Sequence, residues 1–312
     1  MKTAQPGKKS SLAFKLALFV LTSTSLIFTA AFLYNYLASR LIVLKEAESS
    51  VQNLCLASVN EAETLFQSIQ ETPRYMALQL ENPQITRGGI QEMLHSFLTG
   101  NPNVYGSIIA FEPYAFDPAL QYFAPYGDRE DGRPHVVVLG SETYHYFHKD
   151  WYLIPKELGR PVWSEPYYDE GGGNILMTTY SVPFYRGKDS QRVFQGVVTA
   201  DVSLEWLVNS LTYIAPFKTG YSSILSQNGL FLTHPDPKLI MRESIFSVAE
   251  ARGDASLREI GQEMIRGIPG FVPIRNLIQE QPAWLYYAPI PSTGWTLCVV
   301  VPQEAVFLNL YT

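Results

Sequence analysis

The chain begins with a long segment that carries no charge. No charged residue occurs from Leu16 to Ser39, and four lysines lie within residues 1–15. A helix of about 20 apolar residues spans a bilayer, and lysines before such a helix favour a cytoplasmic amino terminus. A cleaved signal peptide is the alternative, but its apolar region is only about 7 to 15 residues long. We predict a retained transmembrane helix over 16–39, with 1–15 in the cytoplasm and 40–312 on the extracytoplasmic side of the inner or plasma membrane.

Residues 40–80 have the periodicity of a long amphipathic helix, with apolar residues at steps of three and four and polar residues between them. These apolar positions are Leu41, Leu44, Ala47, Val51, Leu54, Ala62, Leu65 and Ile69. We expect Pro73 to end or bend the helix. An apolar stripe of this length packs against its own domain or against a second copy. We predict both, with a homodimer formed through the helix from Arg40.

After residue 80 the pattern changes to short strands that are separated by turns. A helix is predicted over 89–98, and strands over 104–111 and 135–139 are separated by a polar loop at 128–134. The later pattern predicts strands over 175–183, 194–200, 221–225, 230–233, 283–289 and 295–301, and a helix over 257–266. Gly229 and Gly294 lie in turns that join the last two pairs of strands as hairpins.

The strands form two similar groups, and each group closes with a very apolar strand, 196–200 in the first and 296–301 in the second. Helices combined with mostly antiparallel strands are typical of an α+β fold and not of a parallel nucleotide-binding sheet. We predict two PAS-like modules side by side, over 81–208 and 209–302. Residues 303–312 have the pattern of a helix that is just beginning.

Composition and charge exclude several classes of function. With 312 residues, of which 46% are hydrophobic, the chain can bury a large core. Its net charge of -6, without a basic stripe after residue 45, argues against nucleic acid as a partner. Cys55 and Cys298 belong to no metal motif, and we interpret them as buried free thiols. His145, His148 and Asp150 are spaced as metal ligands could be, but without a third convincing ligand, so we predict neither a metal nor a cofactor.

Candidate binding residues concentrate between Tyr144 and Asp201, where aromatic rings, a lysine and two separated carboxylates recur at strand-like spacing. This composition is typical of a pocket for a small polar ligand. The candidate residues are Lys149, Trp151, Tyr152, Tyr167, Asp169 and Asp201.

The order of these residues resembles a known family. Trp151-Tyr152, then Tyr167 with Asp169 two positions later, then an apolar strand that ends at Asp201, is similar to the amino-acid- and amine-binding subgroups of double Cache domains. Those domains are the extracytoplasmic sensors of many bacterial receptors. The resemblance implies that Tyr167, Asp169 and Asp201 hold a ligand ammonium, and that Trp151 and Tyr152 line the side of a ligand carboxylate.

The resemblance covers about residues 40–305 and departs from the family at one position. Lys149 occupies the place of the family's arginine, and lysine lacks the planar fork that matches a carboxylate. The turn at Gly171, Gly172 and Gly173 also looks longer than usual. An amine, an amino acid and another small polar metabolite therefore all remain candidate ligands.

We interpret the chain as the ligand-sensing region of a membrane-bound signal-transduction receptor, with 81–208 as a membrane-distal binding module and 209–302 as a membrane-proximal module. The resemblance implies a second membrane helix and a cytoplasmic output domain beyond this sequence, which could be a histidine kinase, chemoreceptor, cyclase or serine phosphatase. A structural module that only dimerises is one alternative. A tethered hydrolase is another, but the sequence contains no nucleophile elbow, no HExxH motif and no acid–base pair, so we predict no catalytic residue.

Overall fold

We describe the fold from a computed structural model. It describes residues 12–130, 132–187, 191–211, 220–278 and 280–303. The predicted helix at 303–312 lies outside the described residues from 304 onward, as do 1–11 of the predicted cytoplasmic segment. Contacts divide the chain into two compact units, 1–52 and 53–312, which are considered separately.

The first unit contains the amino-terminal part of a single long helix, α1 (Leu12–Leu80). Its apolar side chains are exposed, among them Phe19, Leu26 and Phe32. An 18-residue window of this helix has a mean hydropathy of 2.1, and the helix is long and apolar enough to cross a membrane. The uncharged segment therefore has the helical conformation that its sequence predicts.

In the second unit, α1 packs one face into the core. The buried face consists of Cys55, Val59, Ala62, Phe66, Ile69, Met76 and Leu80. The predicted stripe was partly wrong, because Leu54 is 42% exposed and lies outside this face. The helix also does not end at Pro73, which is inside it. The core selects positions by their contacts with the two sheets, and apolar spacing alone could not define that choice.

Among the described residues, seven strands form the first sheet, in the order β3-β2-β1-β7-β6-β4 with β5 paired to β6. The strands are β1 (Ser107–Phe111), β2 (Ala124–Glu130), β3 (Arg133–Leu139), β4 (Val162–Trp163), β5 (Tyr167–Tyr168), β6 (Leu176–Arg186) and β7 (Val193–Ser203). The helices around it are α2 (Arg87–Gly100), α3 (Asp150–Leu158) and α4 (Leu204–Leu211). All pairings in this sheet are antiparallel.

Two local predictions for this sheet were wrong. Residues 128–134 were predicted to be a loop, but they form the end of the β2–β3 hairpin, in which Arg129 pairs with Pro134. The charged residues there belong to strands whose side chains face solvent on one side. Trp151 and Tyr152 were predicted at strand-like spacing, yet they lie in the first turn of α3.

A second sheet contains five of the described strands, in the order β10-β11-β12-β8-β9. These are β8 (Tyr221–Leu225), β9 (Phe231–Thr233), β10 (Gly270–Arg275), β11 (Pro282–Pro289) and β12 (Thr296–Pro302), with helices α5 (Ile245–Arg252) and α6 (Ala255–Ile265) on the sheet. The hairpins at Gly229 and Gly294 were predicted correctly, whereas α5 and β10 were not predicted. Cys55 and Cys298 are buried free thiols, as expected.

An aromatic cluster joins α1 to both sheets. The ring of Phe66 lies 5.3 Å from that of Trp163 on β4 and 5.5 Å from that of Trp295 beside β12, both in edge-to-face geometry. Such pairs add about 0.5–1.5 kcal/mol beyond burial. The architecture is therefore α+β, with a long amino-terminal helix and two antiparallel-sheet modules, as the sequence predicts.

Candidate functional site

A small cavity lies between the first sheet and the segment around α3. Its volume is about 10 Å³, which is enough for a single water molecule. Its lining consists of Ile108, Tyr126, Leu139, Tyr144, Trp151, Tyr167, Asp169 and Asp201. Four of the six predicted site residues meet here, although they come from α3, β5, the loop after β5, and β7.

Asp201 is held on the central strand β7 and is only 4% exposed. Its Oδ1 accepts a hydrogen bond of 2.9 Å from Thr179 Oγ1, on the neighbouring strand at the paired position. The Tyr167 hydroxyl lies 2.8 Å from the same Oγ1. Burial, and secondarily the charge of Asp169, raises the pKa of Asp201 to about 8. At neutral pH this carboxyl therefore retains its proton while the cavity is empty.

Asp169 is the second buried carboxyl of the cavity, with 6% of its surface exposed. Its Oδ2 accepts from the Gly173 backbone N–H at 2.8 Å, and its Oδ1 from the Tyr144 hydroxyl at 3.2 Å. Burial raises its pKa, whereas these two hydrogen bonds and the charge of Lys149 act in the opposite direction. The ionised form of Asp169 is thus better stabilised by its surroundings than the ionised form of Asp201.

A glycine loop packs directly on Asp169. A Cβ atom on Gly172 would lie 2.1 Å from Asp169 Oδ2, and one on Gly173 would lie 2.9 Å from the Tyr126 hydroxyl. Only glycine permits such close approach of backbone to side chains. The loop that looked too long in sequence therefore packs on Asp169 and supplies it with a backbone donor.

The cavity also contains residues that the sequence analysis did not select. The Tyr126 hydroxyl is buried and has no hydrogen-bond partner among the described residues. Burial and the nearby charge of Asp201 raise the pKa of this hydroxyl above its ordinary value. Tyr126 was missed because β2 was not predicted. In the structure Tyr126 pairs with Ile108 on β1, and this pairing brings it to the cavity.

The other two predicted residues lie outside the cavity lining. Lys149 places its Nζ 5.1 Å from the centroid of the Tyr144 ring. The Tyr152 hydroxyl donates to Glu112 Oε2 at 2.7 Å, and Lys156 Nζ lies 2.8 Å from Glu112 Oε1. The structure thus separates Tyr152 from the carboxylates, while Lys149 contacts the cavity only through Tyr144.

The chemistry of the cavity suits a cation. Two carboxyl groups share a space walled by four aromatic rings, and no lysine or arginine is among its lining residues in the described chain. An ammonium ion taken from water needs carboxylate acceptors, and aromatic faces add further attraction. Among the described residues, no group of three or more His, Cys, Asp and Glu side chains could hold a metal ion.

Comparison with known proteins agrees with this fold. Residues 90–209 match the family model of the methyl-accepting chemotaxis protein-like, first PDC sensor domain. The chain is 23% identical over 209 residues to the methyl-accepting chemotaxis protein PscA of Pseudomonas syringae pv. tomato, covering 65% of this chain and 29% of PscA. The chain therefore spans less than a third of that relative's length.

Two solved structures have the same fold. The extracellular domain of the proposed histidine kinase mmHK1S-Z2 superposes with a TM-score of 0.68 at 23% identity, covering 85% of this chain and 99% of that one. The ligand-binding domain of the Pseudomonas aeruginosa PAO1 amino acid chemoreceptor PctC, in complex with GABA, gives a TM-score of 0.56 at 18% identity, covering 81% and 99%.

These similarities extend over both sheets and include the cavity-bearing module. The chain therefore has the double Cache fold, and its residues 90–209 match the family model of the methyl-accepting chemotaxis protein-like, first PDC sensor domain.

Proposed function

We propose that this chain is the extracytoplasmic sensing region of a membrane receptor and that its first module binds a small organic ammonium ion. Asp201 and Asp169 would accept hydrogen bonds from the ammonium group. The observation that carries the proposal is the pair of buried carboxyls that face one cavity without a cation in its lining. Burial favours the protonated form of Asp201, and a ligand ammonium would supply the opposite charge that stabilises the ionised form of both carboxyls.

The lining favours an amine over an α-amino acid. A ligand carboxylate is best held by a cation such as an arginine fork, but apart from its two carboxyls the described lining offers neutral donors alone, the three tyrosine hydroxyls and the Trp151 indole. Lys149 is directed to the Tyr144 ring and lowers the pKa of Asp169, so its charge is already engaged. We therefore propose an ammonium group on a short, largely apolar body.

Entry of such a ligand requires movement, because about 10 Å³ holds no more than a water. The glycine loop contributes no side chains of its own at Gly171, Gly172 and Gly173, and its contact with Asp169 includes the Gly173 backbone N–H. We propose that the ammonium replaces the Gly173 N–H as a partner of Asp169 and displaces the loop. A ligand shifts such an equilibrium only by its preference for one state.

The remaining organisation follows from this function. Within this sequence we propose one membrane span over 16–39, a membrane-distal module at 81–208, a membrane-proximal module at 209–302, and a homodimer through α1 from Arg40. Output would belong to a cytoplasmic domain outside this sequence, and the region described here would not itself catalyse a reaction.

Thermal unfolding of the full chain in detergent tests the ligand class. Propylamine and ethanolamine are compared with GABA, glycine and propionate. A ligand at 100 times its dissociation constant adds about 2.7 kcal/mol to the free energy of unfolding. We expect a saturable rise with the amines, loss of that rise in Asp201→Asn, and its retention in Glu157→Gln, which changes an exposed carboxyl on α3.

Other outcomes would change the interpretation in distinct ways. A larger shift with glycine than with propylamine would show that Lys149 serves a ligand carboxylate. Equal shifts in Asp201→Asn and in the unmodified protein would contradict the assigned cavity. The structural alternative, a module that only dimerises, predicts that no compound on the panel raises the unfolding temperature.

A further inference from the structure

A second and much larger cavity lies where the two sheets meet α1. Its volume is about 920 Å³, within the range of roughly 300–1,000 Å³ that is usual for small-molecule sites. Its walls are the middle of α1, the segment from α3 to β4, and two turns of the second module at Gln227 and at 291–294. We call it the junction groove.

The end of the junction groove beside the second module has its acidic groups satisfied. Glu63 on α1 accepts from the Ser292 backbone N–H at 2.8 Å and from the Ser292 hydroxyl at 2.6 Å. Glu165 accepts from the Gln227 backbone N–H at 3.1 Å. These carboxylates fasten the turns of the second module, so they are not free to receive a ligand.

The opposite end is rich in donors. Arg74 uses Nε to donate to the Tyr180 hydroxyl at 2.7 Å and Nη2 to donate to Gln70 Oε1 at 3.3 Å. Arg160 is exposed and has no ion pair among the described residues. The acidic residue at this end is Glu71, whose exposed charge is screened by solvent.

Two further donors at this end have no acceptor. The Gln70 side-chain amide nitrogen and the Trp163 indole nitrogen are buried and lack a hydrogen-bond partner among the described residues. Both residues are only 7% exposed. A buried donor without a partner costs about 1–3 kcal/mol. Both nitrogens are shielded from the open groove, so a ligand there would be held by the exposed arginines instead.

From these contacts we infer that the donor-rich end of the junction groove binds a small carboxylate. Arg160 and the free edge of Arg74, which are both exposed, would hold its oxygens. This inference stands on residues separate from the ammonium cavity, and it holds whether or not that cavity binds an amine.

Strand β6 lies between the junction groove and the ammonium cavity. Tyr180, the acceptor for Arg74, follows Thr179 on β6, and Thr179 donates to Asp201. Neighbouring strand residues point to opposite faces of a sheet. One strand therefore contacts the cavity on one face and the groove on the other, through different side chains.

The test uses the full chain carrying Asp201→Asn, so that the ammonium cavity cannot contribute. Succinate and citrate are titrated against its thermal unfolding, with sulfate at matched ionic strength as the control for screening. We expect a saturable rise in the unfolding temperature with at least one carboxylate. Arg160→Ala should weaken it by about 10-fold or more, as charge-assisted hydrogen bonds are lost.

The matched control is Arg266→Gln, which removes an exposed arginine at the end of α6. It should leave the titration unchanged. The inference is overturned if neither succinate nor citrate gives a saturable shift, or if Arg160→Ala and Arg266→Gln behave alike. A shift that appears in the unmodified chain but vanishes in Asp201→Asn would assign the carboxylate to the first cavity and would equally refute the groove.

Discussion

Replacing Asp201 by asparagine should change how the stability of the empty protein depends on pH. The side chain is 4% exposed, and burial raises its pKa to about 8, whereas an unfolded aspartate titrates near 3.9. The folded state thus binds a proton that the unfolded state releases. The stability from this group is complete at low pH and is lost as the pH rises toward 8.

The size of the effect follows from the pKa difference. Between about pH 5 and about pH 8 the folded state alone holds the proton, and each pH unit corresponds to about 1.4 kcal/mol, so the loss is about 4 kcal/mol. Asparagine cannot titrate. Relative to the unmodified protein, Asp201→Asn should therefore gain about 4 kcal/mol across this range. Asp169 has a raised pKa in the same direction, but it is present in both proteins and contributes to both profiles.

Thermal unfolding at pH values from about 5 to about 8 measures the difference, without added amine. For a domain of this size about 4 kcal/mol corresponds to roughly 8 to 16 °C. Glu157→Gln, on the exposed face of α3, should follow the unmodified protein. Parallel profiles for Asp201→Asn and the unmodified protein would refute the reasoning, because they would mean that Asp201 is already ionised in the folded state.

Two further substitutions test the glycine loop and the packing of α1 on the two sheets. Gly172→Ala places a methyl group against Asp169, where its Cβ would lie 2.1 Å from Oδ2; because this disfavours the packed loop that the ligand displaces, amine affinity in a titration should rise by about 10-fold, and unchanged affinity would contradict a role for the loop. Phe66→Ala removes the ring that contacts Trp163 and Trp295; denaturant unfolding should show a loss of about 3–5 kcal/mol, whereas a loss under about 1 kcal/mol would mean that α1 is held by other contacts.

The long helix illustrates what periodicity can and cannot predict. An uncharged segment and a 3.6-residue pattern were sufficient to predict helix through most of 12–80. They did not identify the buried face, since Leu54 is largely exposed while Phe66 carries the junction. Because apolar residues occur on several faces of α1, the sequence does not specify which face is buried. The contacts of α1 with the two sheets determine that face.

The strands show the same division. The short strand Tyr221–Leu225, which the turn at Gly229 follows, was predicted at its observed bounds. The strand Ala124–Glu130 was missed, because Gly127, Asp128 and Arg129 are typical of loops. Pairing with β1 on one side and β3 on the other keeps it extended. Because that strand was not predicted, Tyr126 was not identified as a candidate site residue.

Residue type and local spacing were sufficient to predict the class of fold, the apolar amino-terminal helix, and most of the carboxyls and rings of the candidate site. They could not determine which of those side chains meet. Trp151 and Tyr152 are neighbours in sequence, yet one lines the cavity and the other bonds Glu112. A helical turn directs adjacent residues about 100° apart, so only the packing of α3 on the sheet decided which ring faces Asp201.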